Sequence, residues 1–266
     1  MINGMLKIAE DKDLDTLHEA ILTVLQNTGM RFESRSLLAS LAERGLEVDF
    51  DKRVVRFAPH IVEKQIEAQA NRYKMVRSSL WHPFCKQQKK DDISVPDEFS
   101  CDYGHGAPSI YDYTAKAVRK PGLQDQVDMI KLGNALDCVK AICAPFILDE
   151  FDPRVEPLES AKILLENTGK PGWVGTYSAK QLVYLGELAR IAVDGDEERL
   201  RTGPPLVVTV MCTTSPLRLD KRSCEVLEEA LKHGYPINFS SMPILGSTTP
   251  VAPAGTAVVA AAEIIG

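Results

Sequence analysis

Tyr235 to Gly266 reads YPINFSSMPILGSTTPVAPAGTAVVAAAEIIG, and the order of residue types in it decides the fold. An apolar run of strand length, Ile237 to Phe239, enters a loop rich in Pro, Gly, Ser and Thr, and a small-residue helix starts from about Ala254. Strand, polar loop and helix make one βα unit. In parallel α/β proteins the loop after the strand borders the ligand, because the strand's carboxyl end and the next helix's N-terminus both open there. Ser240 to Pro250 should therefore border any site. The helix ends at Gly266 with no strand after it for the unit to continue into.

Working outward, the same grammar recurs upstream. Short β-branched runs at Phe99 to Tyr103, Ala141 to Ile147, Gly172 to Thr176 and Leu206 to Met211 each lead through a polar loop to a helix. The predicted helices are Leu123 to Leu136, Leu158 to Thr168, Ser178 to Val193 and Asp220 to His233. Ser178 with Gln181 forms a capping box, Asp220 caps the fourth helix, and Gly169 and Gly234 lie just past helix ends. Strand starts recur about every 35 residues, the pitch of a (β/α)₈ barrel or a doubly wound sheet. No GxGxxG follows the first strand, which argues against the dinucleotide-binding version. Eight such units need on the order of 250 residues. The part of the chain that shows the pattern has room for roughly five. The segment is an open five-stranded sheet or the front of a barrel.

The first hundred residues differ. Leu14, Leu17, Ile21, Val24 and Leu25 recur at helical spacing behind Asp13, and Gly29 stops that helix. Ser34 caps a second helix with Leu37, Leu38 and Leu41 inside and Gly45 beyond its end. Val48, Val55 and Phe57 flank the turn-like Asp49 to Lys52 as a hairpin, and Pro59 opens a third helix carrying Ile61, Val62 and Ile66. The polar, irregular stretch Asn71 to Pro96 puts the domain boundary near residue 97. Residues 1–97 form a helical region with a β-hairpin, and residues 98–266 form the partial barrel, cut short on its C-terminal side.

Composition narrows the function classes. With 266 residues, 44% of them hydrophobic, the chain fills a substantial core, and a net charge of −6 with no basic face argues against a nucleic-acid partner. The one lysine cluster, Lys86 to Lys90, is followed at once by Asp91 and Asp92, as in a solvated loop. No signal peptide is recognisable, and the longest apolar tract, Ala257 to Ile265, is broken by Glu263 and too short to span a bilayer, which predicts a cytoplasmic protein. The six cysteines make no CxxC pair and no metal-finger spacing, so most should be small buried hydrophobes. Cys212 stands apart, at the carboxyl end of a predicted strand.

The loops after the strands carry the chemistry. DYGHGAPSIYDY follows the first, with Asp102, Tyr103 and His105, and Tyr111 and Tyr113 as alternate residues of a hairpin strand. Phe146 is near the end of the second run, Asp149, Glu150 and Asp152 follow it, and Tyr177 follows the third. Thr213, Thr214 and Ser215 follow the fourth, and Ser240, Ser241, Met242, Gly246 and Thr248 the fifth. Aromatic faces, a few carboxylates and hydroxyls with almost no cationic group suit a small organic cation, because an aromatic face attracts an ammonium ion electrostatically. A phosphate would want Arg, Lys or free amides. His105 and Asp102 are the candidate catalytic pair. Tyr103, Phe146, Tyr177, Thr214, Ser215, Ser241, Met242, Gly246 and Thr248 are the candidate substrate-binding residues. Asp102 and His105 are metal-ligand types, but they have no third ligand, so no metal is expected. No serine lies in a nucleophile elbow.

These residues also carry a resemblance. ILTVLQNTGMRFES near the N-terminus, GHGAPSIYD with Arg119 and LQDQVDM, ENTGKPGW from Glu166 to Trp173, TSPLRLD from Thr214 to Asp220, and MPILGSTTPVAPAGT from Met242 to Thr256 resemble the trimethylamine methyltransferase family, in the family's order. The family includes pyrrolysine-containing enzymes and pyrrolysine-free glycine-betaine-type enzymes. The resemblance implies a TIM barrel with a helical N-terminal addition, and transfer of a methyl group from a methylated amine to the Co(I) corrinoid of a separate protein. The chain lacks the DxHxxG lower-ligand motif, so no cofactor is expected on the chain itself and the corrinoid comes on the partner. Family members are longer, and in the trimethylamine enzymes the pyrrolysine lies beyond the stretch matched here. Ala252 and Pro253 replace the residues the family pattern has before Ala254. The expected chain is a partial barrel with open sheet edges, prone to homo-oligomerise and without turnover alone. Two other readings are a non-catalytic partial-barrel module that engages a corrinoid protein or another subunit, and an unrelated barrel lyase. The lyase would need a strand-end lysine or a metal cluster, and no such lysine stands out.

Overall fold

The computed structural model describes residues 9–77, 101–102, 104–202, 205–207, 210–235 and 237–266. The boundary expected near residue 97, the Lys86 to Asp92 loop and Tyr103 lie outside them. The N-terminal elements are α1 (Asp11–Asn27), β1 (Met30–Phe32), α2 (Arg35–Glu43), β2 (Glu47–Asp49), β3 (Val54–Arg56) and α3 (Pro59–Arg77). Next come β4 (Cys101–Asp102), β5 (Ile110–Asp112), β6 (Ala117–Arg119), α4 (Leu123–Ala135), β7 (Val139–Cys143), α5 (Glu156–Asn167), β8 (Gly172–Trp173) and α6 (Ala179–Ile191). The chain continues through α7 (Glu197–Thr202), β9 (Leu206–Val207), β10 (Val210–Cys212), β11 (Arg218–Leu219), α8 (Lys221–His233), β12 (Asn238–Ser240) and α9 (Pro253–Ile265).

Chain segments combine into two compact units. The first takes Met1–Gln69, Cys212–Cys224 and Phe239–Gly266; the second takes Ala70–Met211 and Glu225–Asn238. The last predicted βα unit thus contributes most of its length to the N-terminal elements, which local periodicity could not reveal.

In the first unit, α1 buries Ile21 and Leu25 and packs against α9. Ser34 caps α2 by accepting from the Leu37 N–H at 3.2 Å. β1 pairs antiparallel with β3 and, on its other side, parallel with β11, with Arg31 opposite Arg218 and Phe32 opposite Leu219. Glu33 fastens this junction. Its carboxylate takes Arg31 at 2.8 Å, Arg218 at 3.2 Å and Arg53, and the Arg53 hydrogen bond leads the causes that hold its pKa below the usual glutamate value. The core is Leu25, Met30, Phe32, Leu38, Val55 and Leu219.

The second unit holds the parallel sheet, in the order β4-β7-β8-β9. Every neighbouring pair is parallel, and α4, α5 and α6 fall between successive strands. Spatial order follows chain order, without the reversal of a doubly wound sheet. Among the described residues the strands do not close into a barrel. β7 stops at Cys143, short of the predicted Ile147, where Pro145 supplies no N–H to continue the ladder. Asp220 caps α8 as expected, its carboxylate accepting from the Ser223 N–H at 2.7 Å. The capping box at Ser178 is only half made. Ser178 accepts from Gln181 N–H at 3.2 Å, but the Gln181 carbonyl oxygen accepts from Tyr177 N–H at 3.1 Å instead of from Ser178.

β5 and β6 form the hairpin expected around Tyr111. Tyr113 lies in its turn, not on the strand, 86% exposed and edge-on to the Tyr111 ring. Arg119 ties this hairpin to α4, meeting Asp112 at 2.9 Å and Asp125 with two bonds of 2.7 and 2.8 Å. The Arg119 hydrogen bonds draw Asp125 down to about 2. Among the cysteines whose burial is described, Cys143 and Cys224 are buried, whereas Cys138 and Cys212 are exposed. Among the described residues no helix is long and apolar enough to cross a membrane.

Gly29 sets the turn between α1 and β1. Its φ is +73°, and a Cβ there would lie 2.2 Å from the Val55 carbonyl oxygen. Gly29→Ala should therefore destabilise the protein by at least about 2 kcal/mol, from a strained backbone and a forced separation of β1 from β3. A urea titration showing a loss below about 0.5 kcal/mol would contradict this account.

Candidate functional site

Three neighbouring parallel strands release their loops at the same edge of the second unit's sheet. β4 leads to Gly104, His105 and Gly106; β7 to Ala144, Pro145 and Phe146; β8 to Val174, Gly175 and Tyr177. The loops stay paired beyond the ladder. Ala107 N–H donates to the Pro145 carbonyl at 2.9 Å, Ile147 N–H returns to the Ala107 carbonyl at 3.1 Å, and Ala144 N–H reaches the Trp173 carbonyl at 3.1 Å. Gly175 gives His105 its place, since a Cβ on it would lie 2.6 Å from His105 Nε2 and 3.1 Å from Tyr177 Oη.

The result is a cleft of about 220 Å³ counting its open mouth. His105, Phe146 and Tyr177 line it. All three were expected from the sequence. Phe146 is buried, His105 half-buried, and Tyr177 exposed enough to meet a ligand.

Glu156 and Ser160 also line the cleft and were not anticipated. They lie one turn apart on the inner face of α5, 7% and 2% exposed. Glu156 Oε1 accepts from the Ser160 hydroxyl at 2.8 Å and from Leu148 N–H at 3.3 Å. Ser160 in turn accepts from Nε2 of the fully buried Gln126 of α4 at 3.0 Å. A visible signal existed: Glu156, Ser160 and Leu164 share one helical stripe, which puts two polar residues in line with a core leucine.

The carboxylates of the loop after the second predicted strand are committed elsewhere. Asp149 pairs with Lys120, and Glu150 Oε1 accepts from Leu123 N–H at 2.7 Å at the start of α4. Asp152 meets Arg154 at 2.6 Å, and that hydrogen bond lowers it to about 2. Asp102 is on β4, immediately before the His105 loop.

The expected residues from Thr214 onward belong to the first unit, and two of them, Ser215 and Ser241, bind a different carboxylate. Glu263, on α9 and 2% exposed, takes four hydrogen bonds. Its Oε2 accepts from the hydroxyls of Thr213 at 2.6 Å, Ser215 at 2.8 Å and Ser241 at 2.5 Å, and its Oε1 from Leu217 N–H at 2.8 Å. Burial is the largest single influence and pushes its pKa up, but these bonds together outweigh it and hold the carboxyl below the usual glutamate value. Each hydroxyl has one proton and spends it on Glu263, so Ser215 and Ser241 present only lone pairs to anything else. Thr248 Oγ1 accepts from Ile244 N–H at 2.9 Å, and Gly246 has φ +77°, so both shape the loop. Thr214 and Met242 are exposed.

The family model described as Trimethylamine methyltransferase (MTTB) matches residues 2–266. The chain belongs to this family. It is 30% identical to Trimethylamine methyltransferase MttB of Desulfitobacterium hafniense (strain DSM 10664 / DCB-2), over 96% of the chain and 50% of that protein. It is 26% identical to Trimethylamine methyltransferase MttB of Methanosarcina thermophila, over 99% of the chain and 54% of that protein. Against the Glycine betaine methyltransferase of Desulfitobacterium hafniense (strain Y51) it is 23% identical, over 97% and 51%. The chain spans about half the length of the curated relatives it matches. Membership in the trimethylamine methyltransferase family sets aside the unrelated lyase.

The Glu263 network has a definite pH signature. Its carboxyl titrates below the ordinary 4.5 in the folded chain, so the folded state holds that proton more weakly than the unfolded state. The stabilisation is complete at neutral pH and drains away as pH falls through the folded value. Glu263→Gln should cost about 1–3 kcal/mol at pH 7 in a urea titration, and the gap to the natural chain should narrow at acid pH, below the ordinary glutamate value. An equal gap at both pH values would show that charge plays no part.

Proposed function

We propose that this chain is the substrate-holding front portion of a methyltransferase that moves a methyl group from a tertiary or quaternary methylated amine to a reduced corrinoid on a separate protein. The observation carrying the reading is that the cleft at the carboxyl ends of β4, β7 and β8 joins aromatic walls to a buried carboxylate, in a chain of the trimethylamine methyltransferase family. In the names of the relatives the donors are trimethylamine and glycine betaine. Both offer a methyl group on a nitrogen that is, or becomes on protonation, cationic. The parallel, sequentially ordered strands support reading the second unit as the front of a (β/α) barrel.

The chemistry asks little of an acid or base. As the C–N bond breaks, nitrogen keeps the electron pair, and a quaternary ammonium leaves as a neutral tertiary amine with no proton transferred. A protonated tertiary amine leaves likewise as a neutral secondary amine. The protein's tasks are to hold the cation, strip its water and aim one methyl group at the mouth. Phe146 and Tyr177 provide faces to which an ammonium is attracted, and His105, seated against Gly175, narrows the space beside them.

The test joins this chain to the remaining half of the Desulfitobacterium hafniense relative. The fusion, given a reduced corrinoid protein and an amine, should produce methyl-cobalt absorbance, while the 266-residue chain alone should give none. Tyr177→Ala in the fusion should lower kcat/KM at least about tenfold, mainly through KM. A folded fusion that binds none of trimethylamine, glycine betaine, carnitine and proline betaine would overturn the proposal and favour a non-catalytic assembly module.

A further inference from the structure

We infer that Glu156 is the counter-charge of the cleft, the group that makes it select a cation over a neutral molecule of the same shape. The inference rests on the methylated-amine reading of the site and names the residue that carries its selectivity. Glu156 is more than nine-tenths buried, yet among the described residues no lysine, arginine or histidine pairs with it. Its Oε1 is taken by Leu148 N–H and the Ser160 hydroxyl. Its Oε2 has no hydrogen-bond partner among the described residues, and Glu156 is one of the residues that line the cleft.

The surroundings supply donors to this carboxyl group. Glu156 is the first residue of α5, the end at which the helix dipole favours negative charge. The relay from Gln126 Nε2 through the Ser160 hydroxyl delivers a donor to the same oxygen. These contacts hold Oε1 as an acceptor and leave Oε2 for a ligand. An anion taken from water without a cationic partner is unfavourable, and a pocket that keeps one is matched to a cation supplied from outside. Phe146 and Tyr177 complete the match: a quaternary ammonium gains from the aromatic faces and the charge, and a protonated tertiary amine can also donate its N–H to Oε2.

The experiment compares choline with its neutral isostere 3,3-dimethylbutan-1-ol, and with ammonium chloride, by calorimetry on the whole chain. The natural chain should prefer choline at least about tenfold, and Glu156→Gln should abolish the preference while leaving affinity for the neutral isostere unchanged. The glutamine keeps the Oε1 contacts and removes a buried unpaired charge, so its Tm should equal or exceed that of the natural chain. Tyr177→Leu should instead weaken both organic ligands. If Glu156→Gln keeps the choline preference, or lowers Tm as a structural carboxylate would, the counter-charge role is wrong while the methylated-amine reading stands. Ammonium binding that needs Glu156, with no binding of choline, upholds the counter-charge and overturns that reading. No binding of any of the three by the folded chain overturns both.

Discussion

The cleft depends on two places where the chain carries no side chain. A Cβ on Gly172 would lie 2.2 Å from the Ile142 carbonyl oxygen and 2.6 Å from Leu164, so only glycine lets β8 lie in register against β7 under α5. Gly175, three residues on, leaves the space beside the His105 imidazole. Close backbone approach at the first glycine sets the sheet edge, and the gap at the second shapes the wall. The loop hydrogen bonds from Ala107 to Pro145 and from Ala144 to Trp173 follow from that registration. Aromatic side chains on three separate loops then share one cleft.

Both units place a buried glutamate on a helix and surround it with hydroxyl or amide donors, yet the two differ in how completely they are satisfied. Glu263 has both oxygens engaged by its own unit and serves as a fastener that joins α9 to the 213–217 and 241 loops. Glu156, which lines a cleft, has one oxygen engaged and one without a partner among the described residues. Burial alone does not separate a structural carboxylate from a binding one; the count of donors does.

Much of this was legible in the sequence wherever the signal was local. Helices α4, α5, α6, α8 and α9 begin and end within a few residues of their periodicity, and Ser34 and Asp220 cap as their residue types require. His105 and Tyr177 line the cleft as residues that follow strands in a parallel succession, and Phe146, expected within the second strand, joins them because β7 stops at Cys143. Glu156 escaped because it follows no strand, starting a helix beside more conspicuous carboxylates at 149–152. Those neighbours proved to be satisfied by Lys120, Leu123 N–H and Arg154, partners that are not adjacent in sequence in the first two cases. The parallel pairing of β1 with β11 and the packing of α1 on α9 join segments nearly two hundred residues apart or more, a distance no local pattern spans.

That long-range closure bears on how the protein is made. At about 5–20 residues per second, the ribosome adds α9 on the order of ten to forty seconds after α1 has emerged. Throughout that interval Leu25 and Met30, buried in the folded unit, have no α9 to cover them, and β1 has an unpaired edge until β11 is made. Until α9 has been made the nascent chain carries a sticky N-terminal fragment, a hazard for aggregation that chaperones and translation speed bear on as well as the stability of the folded unit.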